Sequence, residues 1–279
     1  MWYQLTMAIG VFGVIQLQEN SRVTSRESDG AKRSPSTLRV ATTGTEHGCG
    51  LSSRGRAYCW GSNRLGQLGD DGWNKAATAP GAVATSASFS TISAGANHTC
   101  ALTGDGTVYC WGLNLTGELG QAVVANTCDG FPCSRRPVRL ETRIRFDAIS
   151  AGFGHTCGLS DGQAFCWGRN DEGQLGNSRV DDRCDGVGCT VTPIRVVGIG
   201  SLDAIIAGGD HTCGIADGLG YCWGSNQYGQ LGAPRTVRRS ARPLRLPVDD
   251  RIASIEARGI YTCAVGESGQ RACWGRAPK

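Results

Sequence analysis

The sequence predicts a repetitive all-β protein, and three observations carry that prediction. Cys-Trp-Gly occurs five times, with the tryptophans Trp60, Trp111, Trp167, Trp223 and Trp274 spaced 51, 56, 56 and 51 residues apart. Glycine supplies 42 of the 279 residues, roughly twice ordinary usage, which favours tight turns over helical bundles. In every copy a pair of cysteines flanks a turn that ends in Gly, as a β-hairpin requires. A fixed period of about 50 residues marks an architecture whose units bury their faces against one another.

The chain opens on an apolar run, Leu5 to Leu17, LTMAIGVFGVIQL. Its 13 residues suit a signal-peptide core better than a membrane span. A short strand packed on the domain is the alternative. Residues 1–18 are read as a possible leader and 19–37 as a polar, aperiodic linker. No stretch reaches the roughly 18 apolar residues of a transmembrane helix. Residues 38–279 hold the repeats.

The third copy, ISAGFGHTCGLSDGQAFCWGRNDEGQLG, shows the pattern in full. Asp161-Gly162 is the favoured pair for a two-residue type I′ turn. Counting outward places Ser160 opposite Gln163 and Cys157 opposite Cys166, in a non-hydrogen-bonded pair close enough for a disulfide. Cys213 and Cys222 repeat this about Asp217-Gly218. In three copies the cysteines stand ten apart: Cys49 and Cys59, Cys100 and Cys110, Cys263 and Cys273. There a three-residue loop ending in Gly55, Gly106 or Gly269 restores the same pairing. Cys128 with Cys133, and Cys184 with Cys189, each close a small loop. All 14 cysteines are then used in seven local pairs. Zinc ligands group in fours at shorter spacings. Disulfides fit better, and they imply an oxidising compartment.

The set Ala-Gly-x-x-His-Thr-Cys, Cys-Trp-Gly-x-Asn-x-x-Gly-Gln-Leu-Gly and Pro-x-x-Val resembles the regulator of chromosome condensation repeat family, in its bacterial, cysteine-paired, exported form. The resemblance implies a β-propeller with one four-stranded blade per repeat. Five repeats are present where the family commonly has seven blades, so an incomplete or open ring is an alternative to closure. Closure would use residues near Pro35 to Val40 to complete the last blade.

Most recurring polar residues have structural explanations. His47, His98, His155 and His211 fill one repeat slot, with Tyr261 in the fifth copy. Hydrogen bonding within each blade is expected of them, rather than an axial metal. The five motif tryptophans point away from the neighbouring cysteines and should lie between blades. Gly44, Gly95, Gly152 and Gly208 should meet a positive φ or a close approach. Asn63, Asn114, Asn170 and Asn226 should hold turns. Asp105, Asp161 and Asp217 sit in hairpin turns.

Two features stand outside the repeat. Trp73, in the insert DDGWNKAATAP, is a candidate contact anchor on a surface loop. Arg235, Arg238, Arg239, Arg242, Arg245 and Arg251 crowd the final insert, either as a solvated loop or as a contact for an acidic partner. The net charge of +4 is too small to imply nucleic-acid binding.

No nucleophile motif, phosphate loop or metal-ligand set appears, and no cofactor is implied. The expectation is a non-enzymatic, secreted or periplasmic scaffold that binds a protein, or a surface glycan, through its inter-blade loops. The alternative is an exchange-factor-like regulator of a small GTPase. A weaker third reading is a polysaccharide enzyme using Asp70 or Asp71.

Overall fold

Alternating hydrophobicity and the turn chemistry give short antiparallel strands, and the computed structural model arranges them as a five-bladed β-propeller. It describes residues 37–179 and 182–276, with two short strands before them, β1 (Ala8–Ile9) and β2 (Ile15–Gln16). Blade 1 holds β3 (Val40–Thr43), β4 (His47–Leu51), β5 (Ala57–Gly61) and β6 (Ala77–Ala82). Blade 2 holds β7 (Phe89–Ala94), β8 (His98–Thr103), β9 (Val108–Leu113), β10 (Asn126–Cys128) and β11 (Phe131–Arg139). Blade 3 holds β12 (Ala148–Ala151), β13 (His155–Ser160), β14 (Gln163–Arg169), β15 (Arg183–Cys184) and β16 (Val187–Arg195). Blade 4 holds β17 (Ala204–Ala207), β18 (His211–Ala216), β19 (Leu219–Ser225) and β20 (Arg239–Arg245). Blade 5 holds β21 (Ile252–Arg258), β22 (Tyr261–Gly266) and β23 (Arg271–Gly275).

Blade 4 keeps the four-stranded plan, and blade 1 keeps it with β1 and β2 added beyond β3. Blades 2 and 3 gain a fifth strand at the rim, because each small cysteine loop is itself a hairpin. Blade 5 has three strands among the described residues. Val40 pairs with Leu51 on the innermost strand of blade 1, so it does not complete blade 5. Pro35 and most of the expected leader and linker lie outside the described residues. Ile15 of β2 pairs with Ala41 of β3.

The hairpins follow the expected register. Cys157 faces Cys166 and Ser160 faces Gln163. Asp161 and Gly162 take φ of 49° and 72°, the signature of a type I′ turn. All seven disulfides form, and no described cysteine is free. In the five hairpin pairs the Cα atoms stand 4.1 Å apart. Gly168 adopts φ 97° at a register shift in β14, and a Cβ there would meet the Gly154 carbonyl oxygen at 2.6 Å. This accounts for the Gly of Cys-Trp-Gly.

The histidines join blades rather than bonding within them, contrary to expectation. His47 Nε2 lies 2.9 Å from Thr99 Oγ1, His98 3.0 Å from Thr156, His155 2.8 Å from Thr212 and His211 2.9 Å from Thr262. Thr99, Thr156 and Thr212 each donate their hydroxyl proton back to the preceding blade, to the carbonyls of Gln67, Glu118 and Gln174. With that proton used, the imidazoles of His47, His98 and His155 must be the donors, so their Nε2 atoms carry the hydrogen. The Nδ1 atoms of all four rings are buried without a partner. A second proton would sit in a dry site with no acceptor. Burial accordingly lowers the pKa to about 4 for His47 and His211 and about 3 for His98 and His155.

The tryptophans reinforce the same joints. Trp111, Trp167 and Trp223 are fully buried, and their indole N–H groups donate to those same three carbonyls. Trp60 and Trp274, in the first and last blades, stay partly exposed. The conserved-looking glycines of the slot serve close approach, not positive φ. A Cβ on Gly152 would meet the Gly208 carbonyl oxygen at 2.6 Å and the His155 ring at 2.5 Å.

Candidate binding face

Antiparallel order fixes which loops share a face. The turn between a blade's first two strands and the insert between its last two inner and outer strands emerge together. The Cys-to-Cys hairpins and the links to the next blade emerge on the opposite side. Every insert therefore lies on one face, here the insert face. Its base is built by the Asn-x-x-Gly-Gln-Leu-Gly segments. Asn63, Asn114, Asn170 and Asn226 each accept, through Oδ1, the N–H five residues on, as the turn chemistry predicts.

On this base the inserts of blades 1 and 2 are tied together. Asp71 N–H donates to the Arg135 carbonyl, the Arg136 guanidinium pairs with Asp71 at 2.6 Å, and Arg64 pairs with Asp129. Arg136 holds the Asp71 carboxyl below its usual range. Asp70 accepts from the Asn63 amide and from Gly72 N–H. Both carboxylates are engaged in loop architecture. Among the described residues no group of three or more His, Cys, Asp or Glu is placed to hold a metal ion.

Trp73 is 48% exposed, and its indole N–H is anchored on the Arg64 carbonyl at 3.2 Å. The ring is thus held in place while its face stays open. The six arginines fall on three segments of the chain. Arg235 and Arg238 sit in the blade 4 insert. Arg239, Arg242 and Arg245 are exposed along β20, and Arg251 pairs with Glu267 on the hairpin face. Arg239 is engaged with the Asp171 carbonyl. An extended strand carries six residues across about 20 Å, so neighbours in sequence separate in space.

Sequence reading missed four exposed apolar residues on the same face. They are Val123 and Phe131 of the blade 2 insert, Val237 of the blade 4 insert, and Phe153 between β12 and β13. Nothing in their local pattern separates them from core residues. Glu118 was also missed, although repeat alignment reveals it as the acid in a Gln slot. It is buried, its Oε2 accepts from Thr116 N–H at 2.7 Å, and burial raises its pKa to about 7.

Comparison with known proteins follows from these repeats. The model described as "Regulator of chromosome condensation (RCC1) repeat" matches residues 54–102, 105–159, 161–215 and 217–265. The chain belongs to the regulator of chromosome condensation repeat family. A second model of the same description matches residues 40–67, 89–118 and 146–174. Among curated members of the family, the chain is 30% identical over 251 residues to the human "Probable E3 ubiquitin-protein ligase HERC6", covering 86% of this chain and 23% of that protein. It is 27% identical to the "Ultraviolet-B receptor UVR8" of Arabidopsis thaliana, covering 86% of this chain and 53% of that one. The chain thus spans at most about half the length of these relatives. Among solved structures, human WBSCR16 superposes with a TM-score of 0.72 at 21% identity, covering 89% of this chain and 63% of its own. Yeast RCC1 (Prp20), solved bound to Kap60, gives 0.68 at 22%, covering 88% and 56%. At these identities the structures establish a shared fold.

Proposed function

We propose that this propeller is a non-enzymatic scaffold that binds a protein partner on its insert face, in an oxidising compartment outside the cytosol. One observation carries the reading. Of the six exposed large hydrophobic residues among those described, Trp73, Val123, Phe131, Phe153 and Val237 lie on the insert face, and Val197 alone lies on the other. Large exposed apolar side chains gathered on one face favour association there, and a held aromatic is a favoured anchor. The yeast relative crystallised with Kap60 supports protein binding by this kind of propeller.

The seven disulfides support the compartment, and they weigh against a cytosolic small-GTPase regulator. The test is affinity capture from extracellular and envelope fractions with the oxidised full chain. The triple variant Trp73→Ala, Phe131→Ser, Val237→Ser is expected to lose the captured protein, and Val197→Ser to retain it. Retention by the triple variant, or loss by Val197→Ser, would refute the assignment of the face.

A further inference from the structure

The rim of blade 2 ends in an unusual way. The hairpin of β10 and β11 turns at Asp129-Gly130, with φ of 52° and 86°, so Cys128 and Phe131 form a hydrogen-bonded pair. Pairing alternates, so the next rung, Thr127 opposite Pro132, is of the non-hydrogen-bonded kind. Pro132 has no N–H, and its carbonyl accepts from Asn114 on the other side. The N–H and C=O of Thr127 therefore point away from the sheet. β10 is the terminal strand of that sheet, so no strand takes them up.

These groups open onto a groove of about 510 Å³ between the rim hairpins of blades 2 and 3. Val123, Val124 and Pro132 line it from blade 2, and Val191 and Arg183 from blade 3. Val123 is 85% exposed. Among the described residues, Arg183 is the only charged one of the lining, and one of its guanidinium nitrogens is spent on the Gly186 carbonyl.

We propose that this groove takes an extended peptide segment, which adds as a strand to the free edge of β10 and sets an acidic side chain on Arg183. The occupant follows from the chemistry of the walls. A free main-chain donor and acceptor on one residue select an extended backbone, since only another strand meets both. The alternating side chains of such a strand would meet the valines on one side and water on the other. The lone cation selects a carboxylate. The proposal rests on the insert face being the binding face and names the chemistry of its partner.

The probe is a phage-displayed library of random peptides, panned on the oxidised full chain. Selected peptides are then synthesised and titrated by fluorescence anisotropy. Two variants report on the groove. Thr127→Pro removes the free donor at an edge position where proline is tolerated, and Arg183→Glu reverses the charge. Each is expected to weaken binding about tenfold, the scale of one hydrogen bond or ion pair. Single N-methylations along the peptide are expected to weaken binding about tenfold at one residue, the one whose N–H meets the Thr127 carbonyl, and to be tolerated at its neighbours. An unchanged thermal midpoint and seven intact disulfides certify each variant's fold. Failure to select any peptide, equal binding by both variants, or tolerance of N-methylation at every position would overturn the groove. Capture of the protein partner by Thr127→Pro would overturn it too, while leaving the insert face standing. Loss of that partner by Val197→Ser would remove the face itself.

Discussion

Tyr261 stands in the slot where four blades place a histidine, and Gly48 stands where the other four place its threonine partner. The bond that joins each blade to the next thus lacks both of its halves between blade 5 and blade 1. Tyr261 donates instead to Glu256 of its own blade, at 3.3 Å. Arg258 and Arg271 also pair with Glu256, so the last blade ends in a charged, solvated face.

The joints should dominate stability. Thr156→Val keeps shape but removes both the His98 bond and one of the two bonds to the Glu118 carbonyl, leaving the buried His98 Nε2 unmet. The expected loss is about 2–4 kcal/mol by urea denaturation. Tyr261→Phe removes one partly exposed bond and should cost about 0.5 kcal/mol or less.

Acid should unfold the protein through its histidines. Their folded pKa values are depressed, so the unfolded chain binds four more protons below pH 6.5. Glu118 opposes them by one proton between its unfolded value of 4.5 and its folded value of about 7. The histidine contribution is therefore fully present above pH 6.5 and falls below it. The net of three protons gives a slope of at most about 4 kcal/mol per pH unit near pH 5. Denaturation midpoints measured from pH 7.5 down to pH 4.5 test this, and a flat profile would contradict the neutral, buried imidazoles.

Glu118→Gln should stabilise, and only on the alkaline side. Blades 1, 3 and 4 carry Gln in this slot, each accepting the N–H two residues before it. The carboxylate is disfavoured in the fold, so its cost grows as pH rises from 4.5 through about 7. The variant should gain up to about 3 kcal/mol at pH 8 and nothing at pH 4.5, compared by thermal midpoints at the two values.

One disulfide should yield to reductant before the rest. Cys273 is exposed on the free face of blade 5, whereas the other four hairpin bridges are sealed under the following blade. Thiol exchange requires access to the sulfur. Limited reduction followed by differential alkylation should label Cys263 and Cys273 first. Earlier labelling of Cys157 or Cys213 would show that the blades open before the edge reacts.

What the sequence made legible was local. The Cys157–Cys166 register followed from Asp161-Gly162, because a two-residue turn dictates every pair beyond it. The Asp129-Gly130 hairpin carried the same signal inside a short cysteine loop, and its strand β10 became evident only with the fold. The histidines were assigned a structural role, but their partners lie 51 to 58 residues away, beyond any local pattern. Which apolar residues stay outside, such as Phe131 and Val123, depends on what neighbouring blades cover. The arginines of β20 looked like one cluster because adjacency in sequence says nothing of extension in space.

The His-to-Thr joint also gives the molecule a head and a tail. Blades 2, 3 and 4 each look forward with a histidine and backward with a threonine, and the two never exchange roles. A duplicated copy of blade 3 spliced in after it would find a matching neighbour on either side, whatever inserts it carried. The blades can thus be multiplied like links of a chain while their loops diverge. The number of links is a matter of gene length, and the surface offered to partners is a separate choice made one link at a time.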